Sequence, residues 1–416
     1  MTNDRASCHS SDHNQDSLAD KLGALFQSSG LFGLTGEQNK SKTIEHSTPC
    51  VAANSPFALP ALELTETGKA GNGDQQKIID DSVSKLEPVV GHEKLSEALS
   101  HFAKLPQTEK EDFLRSLNAI VDDDSKTSNL ATKRLIANEL IDQVNHPEKI
   151  KQGFKGTCGL AAVEIDIAAS RPDIYARAVA RWSKMIDTTA STKDDVATAL
   201  HYPNMIIDRD DESHHRTLVS RIFQTGAANL MLAGSGKRYE SFTSAEAPEI
   251  KTPEGPFKPD RDTGERVLDS TGKVLTWEGV SLEEQAALLT ELTERHFTAD
   301  KIYPTSPEDL VAKLRGQLAK TDTPINLPLH SVEGAHAITV VKIGDQNQSA
   351  DVFYLNTASS NKRLLRMSAQ KLYDTTIDGD DVVRIGNTEE IDGLTFRKPY
   401  KLPANASPFV SVVHGD

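Results

Sequence analysis

The stretch Gln152-Gly153-Phe154-Lys155-Gly156-Thr157-Cys158-Gly159-Leu160-Ala161-Ala162 constrains the fold of this chain more than any other. It reads as a loop that runs straight into an apolar helix, with a cysteine at the junction. Through Ala169 the helix carries Leu160, Ala161, Val163, Ile165, Ile167 and Ala168, and within that span only Glu164 and Asp166 are charged. A helix apolar nearly all round must be enclosed by other elements, so it is expected at the centre of a domain. Gly153 and Gly156 let the backbone turn tightly on the way in. A thiol at such a helix start meets unpaired N–H groups and the positive end of the helix dipole. Both favour the thiolate and predict a pKa below the usual ~8.5.

The rest of the chain falls into three regions. Residues 1–73 are rich in Ser, Thr, Asn, Gln and Gly without a sustained period and are expected to be a disordered polar tail. Within it, Leu18, Leu22, Leu25 and Phe26 have helical spacing. Residues 74–147 are expected to be helical. Ile78, Ile79, Val83 and Leu86 recur at helix spacing and stop before Pro88, and Leu95, Leu99, Phe102 and Leu105 follow. Thr108 with Glu111 reads as a capping box ahead of Phe113, Leu114, Leu117 and Ile120. Leu130, Leu135, Leu140 and Ile141 complete a set of about four helices before Pro147. Such a region could be regulatory, a pro-segment or a module for a protein partner. Because its pattern stops at Pro147, a chain beginning near Glu148 is expected to fold without it.

Residues 148–416 form the third region. After the cysteine helix, a helix opening at Pro172, a short one over 189–200 and a strong amphipathic one from Leu218 to Met231 are expected. Residues 234–280 read as an insertion bearing a hairpin, Arg266-Val267-Leu268 and Val274-Leu275-Thr276-Trp277 around Ser270-Thr271-Gly272. Ser281 with Glu284, and Ser306-Pro307, mark two further helix starts. From Pro324 the period changes to strands: Ile325–Leu329, Ala335–Ile343, Val352–Leu355 and Val382–Ile385, with a short helix over Ser368–Tyr373. Helices first and an antiparallel sheet afterwards give the α+β class.

Composition narrows the function classes. The 416 residues allow two or three domains at ~100–200 residues each. A formal net charge of −15 argues against nucleic acid or an anionic membrane as main partner. No run approaches ~18 apolar residues, so no membrane-spanning helix is expected. Met1 to Asp20 lacks an apolar secretory core, which suits a cytoplasmic protein or one exported by a signal-peptide-independent route. Of three cysteines, Cys8 and Cys50 lie in the tail, so Cys158 is expected to be free. Asp208, Asp210, Asp211, Glu212, His214 and His215 read as a solvated loop ahead of a helix rather than a metal site, and no cofactor or metal is expected. Gly234-Ser235-Gly236-Lys237 lacks the rest of a phosphate loop.

A cysteine nucleophile needs a base, and the base needs a third group to orient it. His336, at the start of the strand in Gly334-Ala335-His336-Ala337-Ile338-Thr339-Val340, is the best candidate base. Asn356, closing the following strand in Phe353-Tyr354-Leu355-Asn356-Thr357, is the best orienter. Antiparallel pairing brings that strand end back beside His336 and leaves the rival Asp351 at the far end.

The nucleophile stretch resembles the Q-G-x-x-G-D-C-W-x-x-A loop of papain-like cysteine peptidases in its calpain-type form, with Thr157 for the usual Asp or Ser and Gly159 for the usual Trp. The His336 strand resembles the G-H-A-x-x-V strand of calpain-like and bacteriocin-processing peptidases, with one residue inserted after the Gly. In this resemblance Gln152, six residues before Cys158, takes the place of the oxyanion-hole glutamine, and Thr357-Ala358 stands where Trp-Gly follows the Asn in the family. It implies a papain-like fold with a helical half and an antiparallel half. It also implies a Cys158–His336–Asn356 triad that hydrolyses peptide bonds in a protein or peptide substrate through a thioester. The same triad serves glutamine deamidases and transglutaminase-like acyl transferases. A non-enzymatic interaction protein using the helical region is the third class left open.

Overall fold

The computed structural model describes residues 72–102, 105–122, 130–153, 155–186, 205, 207, 216–241, 250–252, 255–257, 265–275, 277–321, 323–331, 334–344, 351–358, 364–378, 388–391, 394–397 and 408–415. The disordered tail expected over 1–73, apart from its last two residues, lies outside them. So do the expected 189–200 helix, the acidic and histidine-rich 208–215 loop and the Val382–Ile385 strand.

Four helices open the described chain: α1 (Asn72–Val90), α2 (His92–His101), α3 (Gln107–Val121) and α4 (Leu130–Asn145). Two local expectations are corrected. α1 does not stop before Pro88 but carries it inside its last turns. A proline there forfeits a main-chain hydrogen bond only near the helix end, while Leu86 and Val90 on either side are buried. The capping box at Thr108 does not form. α3 starts at Gln107 behind Pro106 without a side-chain cap, which places Thr108 inside the first turn and Glu111 on the buried side.

The cysteine helix α5 (Cys158–Ser170) is buried from Gly159 to Ala168, as its all-round apolar sequence demands. α6 (Pro172–Trp182) and α7 (Leu218–Leu232) pack beside it. A continuous apolar core runs from Ile79, Leu86 and Phe113 in the first helices through Leu140 and Val144 to Leu160, Ile167, Tyr175, Trp182 and Phe223. That continuity opposes the expectation that a chain beginning near Glu148 folds by itself: the segment ahead of Pro147 covers the same core as α5, and removing it would bare that core.

The 234–280 region contributes a three-stranded antiparallel sheet of β1 (Arg238–Ser241), β4 (Glu265–Leu268) and β5 (Val274–Leu275), and a separate pair, β2 (Ile250–Thr252) with β3 (Gly255–Phe257). Glu240, fully buried, is held between the guanidinium groups of Arg238 and Arg266, which fastens β1 to β4. α8 (Leu282–Thr293) then starts at the expected capping box. Ser281 Oγ accepts the Glu284 N–H at 3.2 Å, and the Glu284 carboxylate accepts the Ser281 N–H at 2.8 Å.

The last third builds one eight-stranded sheet. Its strands are β6 (Phe297–Ile302), β7 (Ile325–Ser331), β8 (Gly334–Ile343), β9 (Asp351–Asn356), β10 (Leu365–Ser368), β11 (Thr388–Ile391), β12 (Leu394–Arg397) and β13 (Val410–Gly415). They run β10-β9-β8-β7-β12-β11, with β13 pairing both β6 and β7, and every pairing is antiparallel. Period-two alternation divides the side chains between two layers. Val341, Leu355 and Val413 join the core that holds α5 and α8. Ile338, Val340, Val352 and Tyr354 meet Leu310, Leu314 and Leu372 of α9 (Pro307–Thr321) and α10 (Ala369–Thr376) on the other side. The architecture is α+β, a helical part first and an antiparallel sheet after it. Among the described residues no helix is long and apolar enough to cross a membrane.

Candidate active site

α5 packs against β8, and its N-terminus reaches the start of that strand. Its N-terminus carries Cys158, whose thiol is half-buried, free of any disulfide and placed against the backbone N–H groups of Ala337 and Gly159. Ala337 is the residue after His336, so the cysteine and the histidine flank one peptide of β8.

The β8–β9 register places Ile338 opposite Asn356 and Ile343 opposite Val352. His336 and Asn356 therefore lie on one face, diagonal to each other across the strand pair. His336 Nε2 stands 2.8 Å from Asn356 Oδ1, and the same oxygen accepts the Ala358 N–H at 3.0 Å. The backbone donor identifies that atom as the amide oxygen, so Nε2 must carry a proton to donate. In the neutral ring the lone pair then sits on Nδ1, the other nitrogen. Asp351 is at the opposite end of β9, where it pairs with Arg366 at 3.3 Å.

Gln152 joins the loop to the same strand end. Its Oε1 accepts the Thr357 hydroxyl at 2.7 Å, its backbone N–H reaches Thr357 O at 3.3 Å, and its Nε2 donates to Lys155 O at 3.1 Å. Thus His336 bonds Asn356 directly, Gln152 is tied to the residue after Asn356, and Cys158 lies against the residue after His336, the four coming from three separate parts of the chain. Among the described residues no hydrogen bond joins the thiol to the imidazole.

The electrostatics differ from the sequence expectation of a depressed thiol. Burial pushes Cys158 above the ordinary thiol range. It outweighs the N–H groups of Ala337 and Gly159, which pull the other way, and the Glu265 carboxylate adds to the upward push. Burial also pushes the His336 imidazole below its ordinary value, against the Asn356 oxygen that favours its charged form. Both shifts favour a resting thiol beside a neutral imidazole.

The departures at Thr157 and Gly159 have local reasons. Thr157 does not cap α5; its hydroxyl donates to Gln224 Oε1 of α7 at 2.7 Å. A Cβ on Gly159 would lie 2.8 Å from Gln285 Nε2 and 3.1 Å from Val280 O, so Gln285 of α8 and Val280 fill the space a larger side chain would need.

Behind the loop, Gln224 Nε2 bridges Lys151 O at 3.0 Å and the Glu164 carboxylate at 2.7 Å. Glu164, fully buried, also meets Ser220 Oγ at 2.8 Å and the Tyr175 hydroxyl at 2.7 Å. Tyr175 has one proton and a second acceptor, Gln143 Oε1, at 2.8 Å. A protonated Glu164 supplies the missing donor. Burial raises its pKa from 4.5 to about 7, and that of the buried Asp166 from 3.8 to about 7. A pKa raised by folding stabilises the folded state fully below the unfolded value and is lost as pH rises through the folded one. The unfolding free energy should therefore fall between about pH 4 and pH 7, by roughly 3 kcal/mol from Glu164. Glu164→Gln, which mimics the protonated acid, should flatten that slope in urea melts run at several pH values. An unchanged slope would contradict the assignment.

Sequence reasoning missed Glu164, Gln224, Thr357 and Glu265 as neighbours of this place. Only the polar break at Glu164 in an otherwise apolar helix signalled one of them. Among the described residues no group of acidic, histidine or cysteine side chains is placed to hold a metal ion. Comparison of the chain with protein-family models, with curated proteins and with solved structures finds no match in any of the three.

Proposed function

We propose that this chain is a papain-like cysteine peptidase that hydrolyses peptide bonds through Cys158, His336 and Asn356. The observation that carries the reading is the 2.8 Å His336 Nε2–Asn356 Oδ1 bond beside a free cysteine at a helix start, with Nδ1 left as the basic nitrogen. Supporting it are the residue order Gln, Cys, His, Asn and the element each residue occupies.

In this reading substrate binding completes the contact between the thiol and Nδ1, as apo geometry often leaves such contacts open. Cys158 Sγ attacks the amide carbonyl while its proton passes to Nδ1. The Cys158 backbone N–H and a Gln152 side-chain N–H hold the developing oxyanion. The C–N bond breaks, His336 returns the proton to the leaving amine, and a thioester remains. Water, deprotonated by His336, then releases the acid and restores the thiol. Asn356 accepts from Nε2–H throughout and holds the imidazole in the required tautomer and orientation.

Incubation with a mixture of unfolded proteins, followed by mass spectrometry, tests the reaction class. New chain termini that depend on Cys158 are the expected result. Side-chain amides converted to acids or joined to amines, without cleavage, would instead place the chain among deamidases or acyl transferases.

A further inference from the structure

Both backbone polar groups of Gly156, two residues before the cysteine, are held by the 234–280 region. Glu265 Oε2 accepts the Gly156 N–H at 2.6 Å, and Trp277 Nε1–H donates to Gly156 O at 2.9 Å. A Cβ on Gly156 would come within 3.3 Å of both Glu265 Oε2 and the Trp277 ring. The holder is itself anchored. The Tyr239 hydroxyl donates to Glu265 Oε1 at 2.6 Å, and the Tyr239 ring packs on Trp277 with centroids 4.7 Å apart. Asn229 of α7 bonds the Tyr239 backbone in both directions at 3.0 Å. Glu265 is buried, at 5% exposure, so its carboxylate is committed to these partners rather than to water.

We propose that Glu265 and Trp277 are positioning residues for Cys158: together they fix the Gly156 backbone and so seat the thiol near a buried carboxylate. The inference deepens the cysteine chemistry proposed above and rests on it. An insertion by sequence thus becomes a wall of the site. Of the charged and titratable groups among the described residues, β4 supplies Glu265, β8 carries His336 next to the Ala337 N–H, the loop supplies Lys155 and Arg216 lies two residues before α7, the last two facing Glu265; β1 supplies Tyr239. α8 contributes the uncharged Gln285 beside Gly159. Burial pushes the Glu265 carboxyl itself above the ordinary range, against the Tyr239 and Gly156 donors; where it is ionised, removing its charge should ease ionisation of Cys158.

The test is the pH profile of iodoacetamide alkylation in the full-length chain, read on the Cys158 peptide by mass spectrometry. Glu265→Gln keeps an acceptor for the Gly156 N–H and loses the charge. Its alkylation midpoint should move down by about half to one pH unit. Trp277→Phe keeps the packing and loses the N–H donor. Its kcat should fall roughly tenfold with KM little changed, because the nucleophile is misplaced rather than the substrate unbound. A Glu265→Gln midpoint equal to that of the unsubstituted chain overturns the proposal, as does Trp277→Phe with unchanged kcat. The alkylation arm needs no turnover. A shifted midpoint in a chain that processes no substrate upholds Glu265 and counts against the peptidase reading alone.

Discussion

Cys158→Ala should lower turnover by about 10³-fold or more, and His336→Ala should do the same. Residues that act as one unit lose their joint contribution when either is removed, so the double substitution should cost no more than the single ones. Stability should respond differently. Cys158 is half-buried with no disulfide, and its replacement removes one sulfur from a helix start, a change expected to stay within about 1 kcal/mol. Loss of turnover with an unchanged urea midpoint separates a nucleophile from a packing residue. Additive losses in the double substitution would mean that the cysteine and the histidine do not work together.

Asn356→Ala should lower kcat by roughly 10–10³-fold, and Asp351→Ala should be nearly silent. The contrast follows from the register. With Ile338 opposite Asn356, the amide oxygen reaches His336 Nε2. Asp351 lies beside Gly344, whose N–H bonds its carbonyl at 2.8 Å, roughly 20 Å along the sheet from His336. Without Asn356 the imidazole loses the acceptor that fixes its tautomer, and the lone pair spends part of its time on the wrong nitrogen. Steady-state kinetics of both variants, with urea melts as a stability control, check this. A silent Asn356→Ala beside an impaired Asp351→Ala would contradict the site geometry.

Much of this site is legible in the sequence because its signals are local. An all-round apolar helix announces α5, and a β-branched run between two turns announces β8. Adjacent antiparallel strands with a short connection fix which end of β9 lies near His336. What was not legible is the part built by distant residues. Glu265 and Trp277 reach Gly156 across 109 and 121 positions, and nothing in a window of ten residues reveals such a contact. β6 and β13 are equally non-local: Phe297-Thr298-Ala299-Asp300-Lys301-Ile302 has too little apolar alternation to read as a strand until Val410–Gly415 pairs with it. The shared core of α1–α7 escaped notice for a related reason. Pro147 ends a helical pattern, which looks like a boundary, yet Leu140 and Val144 before it pack into the core that holds Leu160 after it. Local breaks mark the ends of elements, and only packing marks the ends of domains.

Trapping the acyl-enzyme tests the cysteine chemistry most directly. With a panel of p-nitrophenyl esters of N-acylated amino acids, the expected result is a nitrophenol burst matching the amount of protein. Acid quenching should leave an acyl mass on the Cys158 peptide that hydroxylamine removes, and the burst should be lost in Cys158→Ala and slowed in His336→Ala. A burst of equal size in Cys158→Ala, or an acyl group found on a lysine and stable to hydroxylamine, would contradict Cys158 as the nucleophile.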